Sequence, residues 1–211
     1  PVVAAPKLSQ LSMFGEELAT ETVHVEKKVF DTKNVSYKQV ETAQGRHELI
    51  QKLKEQKQFS FQVLTNEAPN FDFVATGFTC SFSAGESFFV TLKEEPQNIL
   101  NEFADVLTDE RVGKVGHNIK SSILALKKYS IDVKGNLFDT MLAHYLIEPE
   151  ASHDFSILCG QYLNYELSSE DSESFEPACE RVDMALQIKS EIEKELQEKG
   201  QWRLLHEVEM P

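Results

Sequence analysis

The stretch Val115-Gly116-His117-Asn118-Ile119-Lys120-Ser121-Ser122 reads as the end of a strand, a tight glycine turn and the start of a helix. A junction of this kind can set a carboxylate at the edge of a mixed sheet. There it would bind a divalent cation and support phosphodiester hydrolysis. The residue that closes this stretch is Ser122, a neutral hydroxyl. Asp139 stands immediately before an apolar helical pattern, the position of an N-cap that accepts unpaired backbone N–H groups. Glu180 and Asp183 lie on the last long helical segment, where Asp183 reads as a surface or capping residue, and Glu67 and Asp72 follow a strand. The six histidines have no metal-ligand spacing, and no glycine-rich phosphate loop is present.

The elements that must position these residues follow from hydrophobic period. Val35–Glu41 alternates weakly as a short strand, and Ala43–Gln56 is a helix with Leu49, Ile50 and Leu53 on one face. Phe59–Thr65, Phe73–Phe82 and Ser87–Leu92 are strands separated by short turns, which predicts an antiparallel meander. Pro96–Leu107 is a helix, Val112–Val115 a strand, and Asn118–Tyr129 a helix with Ile119, Ile123, Leu124 and Leu126. Helices are expected over Thr140–Ile147 and from Asp154, as cap, through Leu163. Ser168–Phe175 reads as an acidic loop. The last long helix starts near Pro177, buries Val182, Ala185, Leu186, Ile192 and Leu196, and stops at Gly200. Strands in a meander followed by helices around a crossover strand make an α/β mixed sheet flanked by helices, the order of a ribonuclease H-like architecture.

Composition narrows the function. Acidic residues outnumber basic ones by 35 to 21, which argues against strong autonomous nucleic-acid binding, because that needs clustered Lys and Arg. The lysines of 52–57 and 120–128 sit at helical spacing and read as solvated faces. The three cysteines are odd in number and far apart, so they read as buried apolar residues of a reducing, cytoplasmic protein. No segment has the apolar length of a membrane helix, so no membrane partner is expected. Residues 1–35 read as a linker or arm, and residues 36–211 as one domain. Pro1 and Met210-Pro211 read as ends cut from a longer protein.

Several segments resemble one family, the 3′–5′ exonuclease domain of bacterial family A DNA polymerases (the DNA polymerase I family). They are Val115–Lys120, Phe138–Ile147, His153–Leu158 with Tyr162-Leu163, and the terminal Leu205–Pro211, which is similar to the junction into a polymerase domain. The resemblance implies that residues 1–35 follow a 5′ nuclease domain and that the polymerase domain of the same chain is the partner. DNA would then be reached through the full-length protein. Members of the family use two Mg²⁺ or Mn²⁺ ions held by carboxylates. Carried over position by position, the resemblance puts the first-strand Asp and Glu at Gln62 and Leu64, the second-motif Asp at Ser122, and the last-helix Asp at Arg181. The family's tyrosine falls on Pro177. It places His117 and Asn118 at turn positions near the substrate end, and Asp183 or Glu180 could serve as the last-helix ligand only in a shifted register.

All four metal-binding positions therefore lack a carboxylate. The expectation is a vestigial, non-hydrolytic exonuclease domain with no catalytic residue and no metal cofactor of its own. Two alternatives remain open here: an active exonuclease with a rearranged metal site, and a non-catalytic interaction module.

Overall fold

A computed structural model describes residues 28–29, 34–66, 73–169 and 174–210. The central sheet has six strands in the order β2-β5-β4-β3-β6-β7. These are β2 (Ser36–Val40), β3 (Gln58–Thr65), β4 (Ala75–Ser83), β5 (Glu86–Thr91), β6 (Gly113–Gly116) and β7 (Leu137–Asp139). The expected meander is present, since β3 pairs antiparallel with β4 and β4 with β5. Strand β2 closes one edge by pairing parallel to β5, and β6 and β7 extend the other edge in parallel from β3. A second, two-residue parallel pair joins β1 (Lys28–Val29) to β8 (Tyr165–Glu166).

Helices cover both faces. Helices α1 (Ala43–Lys54), α2 (Pro96–Leu107) and α3 (Ile119–Lys128) pack one side through Leu49, Leu53, Leu100, Phe103, Leu107, Ile119 and Leu126 against Phe59, Phe61 and Phe78 of the sheet. On the other side α4 (Thr140–Ile147), α5 (Phe155–Leu163) and α6 (Phe175–Glu198) build a core of Val115, Phe138, Leu158, Ile188, Ile192 and Leu196. A short helix α7 (Trp202–Leu204) runs into a π-helical turn over Leu205–Glu209. Among the described residues, no helix is long and apolar enough to cross a membrane. All three cysteines are buried and unpaired, as their spacing predicts.

Helix α6 is tied to the sheet by polar bonds as well as apolar packing. The Ser60 hydroxyl on β3 donates to the Val182 carbonyl (2.5 Å), and the Ser87 hydroxyl on β5 donates to the Cys179 carbonyl (3.0 Å). The Gly85 N–H, in the β4–β5 turn, donates to the Asp183 carboxylate (3.0 Å). These bonds answer buried polar groups that would otherwise cost free energy, and they set how α6 lies across the strands that carry the candidate site.

Several expectations are corrected. Asp183 is fully buried, not a surface or simple capping residue, because three donors compensate its desolvation. Leu186, expected in the buried stripe of the last helix, is only partly buried on α6. Asp154 precedes α5, but its side chain accepts from the Ser152 hydroxyl (2.8 Å) rather than from a helix N–H. Glu67, Asp72 and most of the proposed arm over 1–35 lie outside the described residues.

Candidate functional site

The turn between β6 and α3 is built by two residues that the sequence places 21 apart. Asn118 takes a left-handed backbone (φ 51), which Asn tolerates better than most residues. The Asp139 carboxylate then accepts from the backbone N–H groups of Asn118 (2.9 Å), Ile119 (2.8 Å) and Met141 (2.9 Å). One side chain thus caps the starts of both α3 and α4, whereas its sequence position pointed only to α4. Burial pushes the Asp139 pKa up, and the backbone donors pull against that shift. Gly116 is not the left-handed residue. Its role is close approach, since a Cβ there would stand 3.2 Å from the Phe61 carbonyl of β3.

The four mapped positions fall at this end of the sheet, and they do not face one cavity together. Strand β6 pairs with β3 only over Gln58–Ser60. Beyond that point the Val63 N–H has no β6 partner, and it donates to the Ser122 Oγ (3.0 Å) instead. Ser122 is therefore a buried acceptor completing the sheet edge. Leu64 turns away into an apolar cluster with Phe89, Ala178 and Cys179, flanked by Tyr37 and Phe175. Gly77, paired opposite it on β4, makes the room, because a Cβ there would meet Leu64 Cδ1 at 3.1 Å and Phe89 Cζ at 3.0 Å. Gln62 and Arg181 do come together. They line a cavity of about 180 Å³ with His117, Asn118 and Ser121, between apolar walls that include Phe61 and Phe155.

Arg181 Cζ stands 5.6 Å from the centre of the Phe155 ring, a cation–π arrangement. The His117 ring packs 4.8 Å from the same phenyl and shares a 3.0 Å hydrogen bond between Nδ1 and the Thr140 hydroxyl. Burial, and secondarily the Arg181 charge, push the His117 pKa down to about 4. His117 is therefore neutral at physiological pH. Sequence reasoning found His117 and Asn118 but missed Ser121, Phe61 and Phe155. The last two carry only an apolar signal and are identified by packing alone.

The two carboxylates considered for a shifted register are engaged elsewhere. Asp183 accepts from the Tyr37 hydroxyl (2.9 Å), the Gly85 N–H and the Gln187 amide (2.8 Å). Glu180 is buried and accepts from the Tyr165 hydroxyl (2.7 Å) and from the N–H (3.0 Å) and hydroxyl (2.6 Å) of Ser168. Burial first, and then the neighbouring carboxylates, hold both tyrosine hydroxyls well above their usual range, so they remain donors. Neither carboxylate lines the Arg181 cavity.

The donor set at the mapped positions does not suit a pair of hard divalent cations. Leu64 has no donor atom, the Ser122 oxygen already accepts a backbone N–H, Gln62 offers a neutral amide, and Arg181 is itself a cation. Among the described residues no group of three or more His, Cys, Asp or Glu side chains is placed to hold a metal ion.

Comparison with known proteins places this architecture. The chain is 25% identical to DNA polymerase I of Borreliella burgdorferi over 222 residues, which cover 96% of this chain and 24% of that protein. The chain thus spans about a quarter of the relative's length. Among solved structures, the POL domain of Pol1 from M. smegmatis, in complex with DNA primer-template and dNTP, superposes with a TM-score of 0.67. It is 19% identical, over 81% of this chain and 29% of that one. Escherichia coli RNase D, an exoribonuclease involved in structured RNA processing, gives a TM-score of 0.68 at 13% identity, over 79% of this chain and 46% of its own. Brucella melitensis NrnC gives 0.65 at 14% identity, over 81% and 85%. These likenesses show the fold, a ribonuclease H-like mixed sheet flanked by helices. Residues 37–177 match the 3′–5′ exonuclease family of A-type DNA polymerases, and the chain belongs to that family.

Proposed function

We propose that this domain is a non-hydrolytic member of its family, a structural module of a longer DNA polymerase I-like protein in the cytoplasm. Its partner is the polymerase domain of the same chain, and DNA is reached through the full-length protein in replication and repair. The observation that carries this reading is the chemistry at the four mapped positions. Gln62, Leu64, Ser122 and Arg181 supply no negative charge where two metal ions would have to sit. Without those ions, nothing at this edge activates a water or stabilises the leaving oxygen of a phosphodiester. The acidic excess of the chain supports a scaffold role over independent strand capture.

The test is an end-labelled single-stranded oligonucleotide incubated with the purified protein and Mg²⁺ or Mn²⁺. The expected result is a full-length label after hours, with no metal-dependent rise in melting temperature. Stepwise 3′–5′ shortening that follows the protein through a second, orthogonal purification overturns the reading. That result would favour a rearranged metal site, which a Mn²⁺ soak would then locate.

A further inference from the structure

His144, buried on α4, and His153, half-buried in the 148–154 connection between α4 and α5, meet nitrogen to nitrogen. Their Nδ1 atoms stand 2.8 Å apart, and the rings cross edge to face with centroids at 5.0 Å. A neutral imidazole carries one N–H and one lone pair. The contact therefore holds one hydrogen, donated by one ring and accepted by the other. His144 Nε2 lies 3.9 Å from the Glu148 carboxylate, which favours the hydrogen of His144 on that nitrogen. Nδ1 of His144 is then the acceptor, and His153 is the donor. A proton added to His153 Nε2 leaves this bond intact. A proton added to His144 Nδ1 sets two N–H groups against each other and breaks it.

The groups around the pair pull in both directions. Burial first, and then the neighbouring His153, hold the His144 pKa below its ordinary value of 6.5, while Glu148, Glu195 and Gln161 oppose that shift. Glu195 of α6 is itself engaged by the Tyr162 hydroxyl of α5 (3.0 Å) and by Lys199 (3.0 Å). The Tyr162 ring stands edge-on to His144 and the Tyr145 ring edge-on to His153. His117 lies close enough to feel both imidazoles. Bonds from Ala151 to Glu148 and from Ser152 to Asp154 stay within the connection, whereas the histidine pair ties it to α4. Two residues after His153, Phe155 walls the cleft and packs on His117. We propose that the His144–His153 pair is a proton-operated latch, closed by one shared hydrogen and opened when His144 takes up a second, which frees the 148–154 connection and shifts the Phe155 wall of the cleft. The latched form is favoured above pH 6.5 and is lost as pH falls through the lowered value of His144. The latch is independent of whether the domain hydrolyses DNA.

The experiment takes ¹⁵N-labelled protein in EDTA from about pH 8 to about pH 4.5, the range in which histidines titrate. It reads the imidazole nitrogens, the backbone amides and the proximity of the His117 and Phe155 rings. At the upper end His153 Nδ1 should carry hydrogen and His144 Nδ1 should not. As His144 Nδ1 gains its proton, the amides of 148–155 should move with the same midpoint, below pH 6.5. The contact between the His117 and Phe155 rings should weaken in step, while far-ultraviolet circular dichroism keeps its folded signal. His144→Asn keeps an acceptor near the Nδ1 position and does not titrate, so its 148–155 amides should stay in place through that midpoint. His153→Asn keeps a donor without a charge, so the midpoint should rise, because His153 is one of the groups that lower it. His117→Asn must retain the transition, since its loss would assign the movement to His117, whose pKa lies at about 4. If His144→Asn does not fold, the direction of the change in His153→Asn decides. Amides that hold still while His144 protonates, a parent-like midpoint in either latch variant, or loss of the folded signal at the same midpoint overturns the proposal.

Discussion

Replacing Ser122 by alanine should expose how the sheet edge is completed without a carboxylate. The hydroxyl accepts the Val63 N–H at 3.0 Å, and both residues are buried. Strand β6 has already ended its pairing with β3 at Ser60–Val115, so no ladder partner replaces the lost acceptor. A buried N–H left unpaired costs about 1–3 kcal/mol. Ser122→Ala should therefore lower the unfolding free energy by about 2 kcal/mol, or about 4–8 °C in melting temperature for a domain of this size. Ser122→Thr keeps an acceptor and should lose less. Urea unfolding followed by circular dichroism gives the free energy, and hydrogen exchange at the Val63 amide gives the local effect. Ser122→Ala within about 0.5 kcal/mol of the parent, with the Val63 amide equally protected, would refute the assigned role, because substitutions without a structural mechanism fall in that range.

Asp139→Ala removes the shared acceptor for three backbone N–H groups and should cost about 3 kcal/mol, more than Ser122→Ala, in the same unfolding assay. Reintroducing acids should be asymmetric. Leu64→Glu places a charge in an apolar cluster and should cost about 3 kcal/mol or more, while Gln62→Glu, half-buried beside Arg181, should stay within about 1 kcal/mol. The depressed His117 pKa means that the folded state prefers the neutral ring. Its contribution to stability is full above the ordinary value of 6.5 and is lost as pH falls through about 4. His117→Asn should accordingly flatten the fall in melting temperature between pH 7 and 4, and an unchanged slope would contradict the assignment.

Much of the fold is legible in the amino-acid sequence, for physical reasons that differ by element. Helix α2 and helix α4 fall on their expected bounds, because Pro96 opens one and the Asp139 cap opens the other. The meander is readable from alternating aromatic and branched residues. Strand β7 and the β1·β8 pair are not, since two or three residues carry no period and their pairing is decided by distant partners. The segment over 202–209 is missed for a related reason: its irregular helix is held by Trp202 and Leu205 packing on the second core. At the site, side-chain types alone show that Gln62, Leu64, Ser122 and Arg181 are not carboxylates. They do not separate the fates of those positions. Leu64 joins a core, Ser122 repairs a strand edge, and only Gln62 and Arg181 still face a cavity. The burial of Asp183 is hidden for the same reason, because its compensating donors Tyr37 and Gly85 are 146 and 98 residues away.

The bonds from Ser60, Ser87 and Gly85 to the first half of α6 act as a key in a lock against rotation. They grip the carbonyls of 179 and 182 and the side chain of 183 within little more than one turn. A helix held this way cannot roll to bring a neighbouring carboxylate into the cleft without breaking several buried bonds at once. Among the described residues, the charged side chain that α6 presents to the cleft is therefore the one at position 181. An engineer wishing to change what the cleft attracts must rewrite that residue, because sliding or twisting the helix is not available as a gradual route.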